Sequence, residues 1–293
     1  VGALGKALAA AGHEVGIVTP LYRGIRERFT ELRGTDYRIE VPLGDATIAG
    51  GIAELPLGPR LKVHFIDQRD YFHRLALYGE NNTDYPDNPQ RFIFLSKAVV
   101  HLARWHPAGP FDIVHVHDWQ VGLVPALLRW ESHHTGWRAP RSVLTIHNLA
   151  YQGRFAGSTF PLTNLPLDYF TPAGVEYFGD VNCLKAAINH ADFLTTVSPR
   201  YAREICTEAY GCGLDDVLRA RLAQRRGGVA QGAGGVDDVV DQDAEPALDV
   251  ADDVHHLRLA RPLAPLVDDR ERRVVEPLGE HAGAHHAADV GRH

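Results

Sequence analysis

FDIVHVHDWQVG at 111–122 and RSVLTIHNLAYQG at 141–153 decide the fold. Each is a short apolar, β-branched run that breaks into polar residues. His117, Asp118, Trp119 and Gln120 end the first; His147 and Asn148, then Tyr151, Gln152 and Gly153, end the second. Runs without strict polar alternation belong to strands covered on both faces, the habit of parallel sheets. In open α/β sheets ligands bind outside the carboxyl ends of such strands. Two strand ends carrying His, Asp and Asn therefore read as one wall of a polar site. Either cluster alone reads as a satisfied core histidine; their shared position favours a site.

Working outward, similar runs recur as VGIVT (15–19), LKVHFI (61–66) and FLTTV (193–197). Helical patterns lie between them. Phe92, Leu95, Val99 and Leu102 are spaced to share one helix face. Ser198-Pro199 ahead of RYAREI reads as an N-cap followed by Pro at the first helical position. Strands alternating with helices predict an α/β, doubly wound, mostly parallel Rossmann-like sheet over residues 1–221. The segment 68–90, rich in Asn, Asp, Pro and Gly, reads as a long surface loop. VGALGKALAAAG at 1–12 reads as a helix stopped by Gly12. In a nucleotide-binding domain a strand and a glycine-rich turn precede such a helix, and its N-terminal N–H groups cradle phosphate. With no Met in the chain, the reading is of a domain whose first strand is missing.

The alphabet changes at residue 222. From Leu222 to His293 there is no Lys, Ile, Phe, Tyr, Trp, Cys, Ser, Thr or Asn. The ten types present all have codons that begin with G or C, as in a GC-rich gene read out of frame. Residues 222–293 are thus expected to be a frame-shifted, disordered, low-complexity tail rather than a second domain. They hold 14 acidic residues and 8 arginines, and so carry six of the chain's seven net negative charges. The remainder is nearly neutral and has no basic stripe, which argues against nucleic acid as a partner. No apolar run reaches membrane-spanning length. Cys183, Cys206 and Cys212 lack metal-site or disulfide-framework spacing. A reduced, cytoplasmic setting is expected, with a plastid location left open because the start is missing.

Beyond these patterns, HDW at 117–119, TIHNLAYQGRF at 145–155 and GVEYFGDVNCLKAAINHADFLTTVSPRYAREI at 174–205 resemble the amino-terminal half of bacterial glycogen synthases and plant starch synthases. AGHEVGIVTPLYRGI (11–25) and AYGCGLDDVLRAR (209–221) fit the same order and spacing. The resemblance implies one half of a GT-B glycosyltransferase, the acceptor-side wall of an interdomain cleft. It implies retaining transfer of glucose from ADP-glucose to the non-reducing end of an α-1,4-glucan, with no cofactor and no metal. Carried over by position, His147 and Asp118 would be catalytic; Asn148, Tyr78, Trp119 and Gln152 would bind substrate. Gln120 departs from the family, where a second His commonly follows HDW. The family's Lys-x-Gly-Gly-Leu turn is absent from this chain, so the fragment alone is expected to be inactive. The alternative reading is a non-catalytic α-glucan-binding module.

Sugar transfer passes through an oxocarbenium-like transition state. Fixed polar groups that hydrogen-bond sugar hydroxyls more strongly as charge develops lower the barrier. That chemistry suits His147 and Asn148. Other polar residues receive plainer readings. The His115-x-His117 pair could suggest a metal, but core packing is the reading adopted, and His281, His285 and His286 are assigned no function. Tyr201 and Tyr210 are read as core, Asp180 and Asp192 as local backbone partners.

Overall fold

The computed structural model describes residues 2–229. They lie within one compact unit, Val1–Glu245; a second, Pro246–His293, lies outside the described residues. Most of the expected tail therefore falls outside them too.

Helix α1 (Gly2–Ala10) ends as its sequence requires. Gly12 takes φ 97°, and the N–H groups of Gly12 and His13 reach back to the carbonyls of Ala9 and Leu8, the Schellman pairing. Strand β1 (Val15–Pro20) follows, then a single turn α2 (Ile25–Arg28) and a long hairpin, β2 (Arg33–Leu43) and β3 (Ala46–Gly58). Strand β4 (Leu61–Asp67) completes a sheet in the order β1-β4-β3-β2, parallel at β1/β4 and antiparallel elsewhere. The hairpin is an element that the run-by-run reading did not anticipate. Its signal was alternation: Ile39, Val41 and Leu43 are buried while Arg38 and Glu40 are exposed. Gly44 makes the reversal at φ 62°.

The segment 68–90 corrects its description as a plain loop. It contains a helical turn, α3 (Arg69–Phe72), capped by the Gln68 side chain, and a small hairpin, β5 (Gly79–Glu80) and β6 (Thr83–Asp84). Asn81 and Asn82, both at positive φ, form the turn of that hairpin. The segment is anchored by Arg91, which is fully buried. Its guanidinium donates to Tyr71 O, Leu77 O and Asn88 Oδ1 at 2.6–2.9 Å.

Arg91 belongs to α4 (Asn88–Trp105). Phe92, Leu95, Val99 and Leu102 are buried as expected, but so are Ile93, Phe94 and Val100. The helix is enclosed on several sides rather than amphipathic, because it contributes to two apolar clusters at once.

The site-bearing strands follow. Strand β7 (Ile113–His117) pairs in parallel with β8 (Arg141–Ile146), after the intervening helix α5 (Val124–Thr135). After a small antiparallel sheet formed by β9 (Arg154–Ala156), β10 (Glu176–Tyr177) and β11 (Asp180–Asn182), the chain enters α6 (Cys183–His190). Strand β12 (Phe193–Thr196) then adds in parallel to β8. The parallel strands thus form two groups, β1-β4 and β7-β8-β12, and β1 and β7 are edge strands among the described residues. Helix α7 (Pro199–Glu204) has the expected Ser198 cap, whose hydroxyl accepts from Tyr201 N–H. Helix α8 (Asp215–Val229) runs through residue 222 without a break. Buried Val116, Leu144, Ile146, Leu184 and Ile188 hold β7, β8 and α6 in one core.

Candidate functional site

Parallel pairing sets His117 opposite Thr145, so the polar ends of β7 and β8 come together at one edge. Asp118 then departs from strand geometry, at φ 55° and ψ −163°. Its N–H still donates to Thr145 O at 3.1 Å. Its carboxylate Oδ1 accepts the backbone N–H of His147 at 2.7 Å and of Asn148 at 3.3 Å. The carboxylate acts as a cap for the end of β8. Asn148 Oδ1 accepts from Ala150 N–H, tightening the same turn.

The His147 side chain is exposed at this edge, and its Nε2 lies 3.0 Å from His117 Nδ1. His117 stacks on His115, centroids 4.4 Å apart. His115 Nε2 meets Thr145 Oγ1 at 2.7 Å, and Thr145 continues to Thr195 Oγ1 at 2.6 Å. Burial, with His115 and His147 close by, pushes the His117 pKa down to about 3, so its ring is neutral at pH 7. Core packing is therefore an incomplete account of the His-x-His pair. Strand alternation places both rings on one face, and at the strand's carboxyl end that face meets His147.

The other expected site residues divide. Tyr78 is brought in by the 68–90 segment, and its hydroxyl accepts from Gln120 Nε2 at 2.7 Å. Gln120, read as a departure from the family pattern, is thus the link that holds Tyr78 to the site. Trp119 is half-buried, packed edge-on to Phe92 (4.6 Å) and Phe155 (5.9 Å) and beside Tyr78 (5.9 Å). Its ring packs against all three of these side chains. Gln152 has both ends of its amide occupied: Oε1 accepts from Asn182 Nδ2 at 2.7 Å, and Nε2 donates to Cys212 O at 2.9 Å. It ties three segments together.

Two more residues shape the edge. Tyr201 Oη accepts from Leu149 N–H at 2.9 Å, fixing the turn after His147; the core reading of Tyr201 missed this contact. Tyr210 does not belong to the core, being 61% exposed in a turn. Asp180 and Asp192, read as local backbone partners, instead make contacts distant in sequence. Asp180 pairs with Arg154, and Asp192 accepts from Ser142 N–H, Ser142 Oγ and Arg141. Burial would raise the Asp192 pKa, but those bonds outweigh it and the net shift is downward.

No helix among the described residues is long and apolar enough to cross a membrane. The His-x-His pair is not part of any three-residue metal-ligating group there.

Residues 1–220 match the family described as the starch synthase catalytic domain. The glycogen synthase of Rhodopirellula baltica is 40% identical over 242 residues, covering 79% of this chain and 47% of that protein. The glycogen synthase of Koribacter versatilis is 44% identical over 224 residues, covering 75% and 45%. The catalytic domain of starch synthase IV from Arabidopsis thaliana, bound to ADP and acarbose, superposes with a TM-score of 0.65 at 31% identity, over 75% of this chain and 45% of that one. The chain spans about half the length of the curated relatives it matches. Its α/β fold corresponds to the amino-terminal half of the GT-B arrangement. By the extent of these matches, the chain belongs to the starch synthase catalytic domain family.

Proposed function

We propose that this chain is the acceptor-side half of a retaining glucosyltransferase that moves glucose from ADP-glucose to the non-reducing end of an α-1,4-glucan, and that it is inactive alone. The observation that carries the reading is the junction of β7 and β8, where Asp118 fixes the backbone of an exposed His147 whose ring contacts neutral His117. Likeness to a synthase domain bound to ADP and acarbose supports the substrate class.

In this reading His147 is the catalytic residue. Its ring donates or accepts a hydrogen bond at the glucose being transferred, and the bond tightens as positive charge develops at the anomeric carbon. Asn148 lines the same pocket. Asp118 is a positioning residue, because its carboxylate bonds backbone N–H groups. Tyr78 contributes a hydroxyl whose pKa burial raises, so it stays protonated. Trp119 and Gln152 act by holding the floor and flank of the pocket. Groups for the leaving diphosphate belong to the second half of the cleft, whose closure excludes water. No cofactor or metal enters this reading, and a cytoplasmic or plastid setting belongs to it by family resemblance.

The division at 221/222 is part of the same proposal, supported by the change of alphabet at Leu222 and a family match ending at residue 220. Sequencing the locus through that junction should reveal a second frame encoding the other half. The functional test compares this chain with a version carrying that half. Glucan extension from ADP-glucose is expected only from the longer protein, and His147→Ala should lower its kcat far more than it raises KM. Glucan extension by the short chain, or unchanged kcat in His147→Ala, would overturn the proposal.

A further inference from the structure

Outside the candidate site, three side chains from separate segments converge. Glu54 on β3 and His64 on β4 are direct cross-strand partners, and His106 caps the C-terminus of α4. One donor atom from each lies within 4.8 Å of the others. Glu54 Oε1 sits between the rings, 3.0 Å from His64 Nδ1 and 3.4 Å from His106 Nε2. The two rings meet edge to face with centroids 4.8 Å apart. Space for the His64 ring depends on Gly16 of β1, where an added Cβ would approach it to 3.1 Å.

A hydrogen-bonded staple accounts for only the His106 side of this cluster: His106 Nδ1 accepts from Ala108 N–H at 3.2 Å, which leaves the proton of the neutral ring on Nε2, facing Glu54 Oε1. His64 is 3% exposed, and its Nδ1, although close to Glu54 Oε1, makes no hydrogen bond of adequate geometry. A buried ring nitrogen with no bond is costly, and here its direction is toward a carboxylate oxygen and a second imidazole. Burial lowers the pKa of His64 to about 4 and lowers that of His106, against the opposing pull of Glu54. Both rings are therefore neutral at pH 7. Ligation through His106 Nε2 requires the other tautomer, with the proton on Nδ1 and the bond from Ala108 N–H given up. Glu54 is held ionised: burial acts to raise its pKa, but the bond from Lys62 and its charge act against this, and the net shift is downward. Lys62 occupies Oε2 at 2.7 Å and leaves Oε1 to face the histidines.

We propose that Glu54, His64 and His106 form a binding site for a zinc-class divalent cation, joining the β3-β4 hairpin to the end of α4. Two imidazoles and one carboxylate suit zinc and its neighbours, whereas calcium and magnesium prefer all-oxygen sets. Tetrahedral zinc with ligands at about 2.0–2.2 Å spaces its donor atoms roughly 3.3 Å apart. The 3.0 and 3.4 Å separations at Glu54 Oε1 bracket that spacing, and the two ring nitrogens, within 4.8 Å of each other, would have to close to it on binding. Water would fill the fourth position. The Lys62 ammonium, 2.7 Å from Glu54 Oε2 and 44% exposed, would have to swing out into solvent for the cation to bind at full strength.

The test uses the full chain, stripped of metal, titrated with cobalt(II) as a spectroscopic probe and then with zinc(II). We expect one equivalent of cobalt with the intense visible absorption of a four-coordinate site, displaced by zinc, and a Tm that rises with zinc. His106→Ala and Glu54→Gln, with folding checked by circular dichroism, should each weaken zinc by more than about 100-fold, since lesser outer-shell changes already cost about 10–100-fold. Replacing His281, His285 and His286 together by Ala should leave the four-coordinate spectrum intact. Lack of that spectrum, a Tm unmoved by zinc, or equal zinc affinity in wild type and folded Glu54→Gln would overturn the site. If His106→Ala does not fold, Glu54→Gln and the zinc-dependent Tm still decide the matter.

Discussion

Asp118 Oδ1 accepts the backbone N–H of His147 at 2.7 Å, so the carboxylate that ends one strand caps its parallel neighbour. The same oxygen takes the N–H of Asn148. Asp118 itself sits at φ 55° and ψ −163°, close to a region that glycine populates and other residues avoid. Two opposing effects follow for substitution. Asp118→Ala loses the cap and keeps the backbone strain, with an expected cost of about 1–3 kcal/mol. Asp118→Gly loses the same bonds but relieves the strain, and should recover about 1–2 kcal/mol relative to Ala. Asp118→Asn keeps an acceptor oxygen and should fall closest to wild type. Urea denaturation of the four proteins checks the order; Ala at or above Gly would show that the strain is not energetically real.

His117 acts through His147 rather than on substrate in our reading, and this predicts a specific rescue. In a protein carrying both halves of the cleft, His117→Phe should lower kcat several-fold with little change in KM. His117→Asn, which presents an amide near the former Nδ1 position, should restore most of the loss. Combined with His147→Ala, His117→Phe should add almost nothing, because contacting residues couple. Fully additive losses in this cycle would mean that the 3.0 Å contact has no catalytic consequence.

How much of this was legible beforehand depended on the range of the interactions. Apolar runs ending in His-Asp and His-Asn located β7 and β8, because a strand buried on both faces leaves a continuous signature. Gly12 announced the end of α1, since only a residue tolerant of positive φ closes that helix. Long-range side-chain contacts left no such trace. Gln120 reaches Tyr78 across 42 residues and Gln152 reaches Cys212 across 60, so neither pairing could be inferred from local spacing. The hairpin β2-β3 was legible through alternation, but Pro42, Gly50, Gly51 and Pro56 within it imitate loop composition. Gly50 is tightly packed there, since a Cβ would lie 3.2 Å from Phe94 and 3.3 Å from the Asp67 carbonyl.

Stability should fall with acidity because several buried histidines are neutral in the folded state. Burial lowers His117 to about 3, and His64 and His190 to about 4. In the unfolded chain each titrates near 6.5. Above that pH both states are neutral and the stability is fully present. As pH falls from about 6.5 toward the folded values, the unfolded chain takes up protons that the folded chain refuses, and stability is progressively lost. His190 offers a clean probe, because both its ring nitrogens are buried without hydrogen bonds and its ring packs on Tyr169. His190→Phe should reduce the drop in Tm between pH 7 and pH 5. An unchanged drop would assign the acid sensitivity to other groups.

Gly153 and Trp119 provide the most direct test of how the floor of the site is built. Gly153 has φ 61°, and a Cβ placed on it would lie 2.2 Å from Trp119 Cε3. No rotation of a flexible tip relieves that clash, because the indole is wedged against Phe92, Tyr78 and Phe155. Gly153→Ala therefore combines a left-handed backbone penalty of about 1–2 kcal/mol with an overpacking cost of about 1–3 kcal/mol. The total expected loss is roughly 2–5 kcal/mol, measured by urea denaturation. Trp119→Leu alone should also destabilise, through lost aromatic contact. In Gly153→Ala/Trp119→Leu the smaller side chain removes the clash while the backbone penalty stays, so the double variant should be more stable than the sum of the single losses predicts. Strict additivity, or a Gly153→Ala loss below about 0.5 kcal/mol, would mean that Trp119 has room to move and does not hold Tyr78 and Gln120 in place.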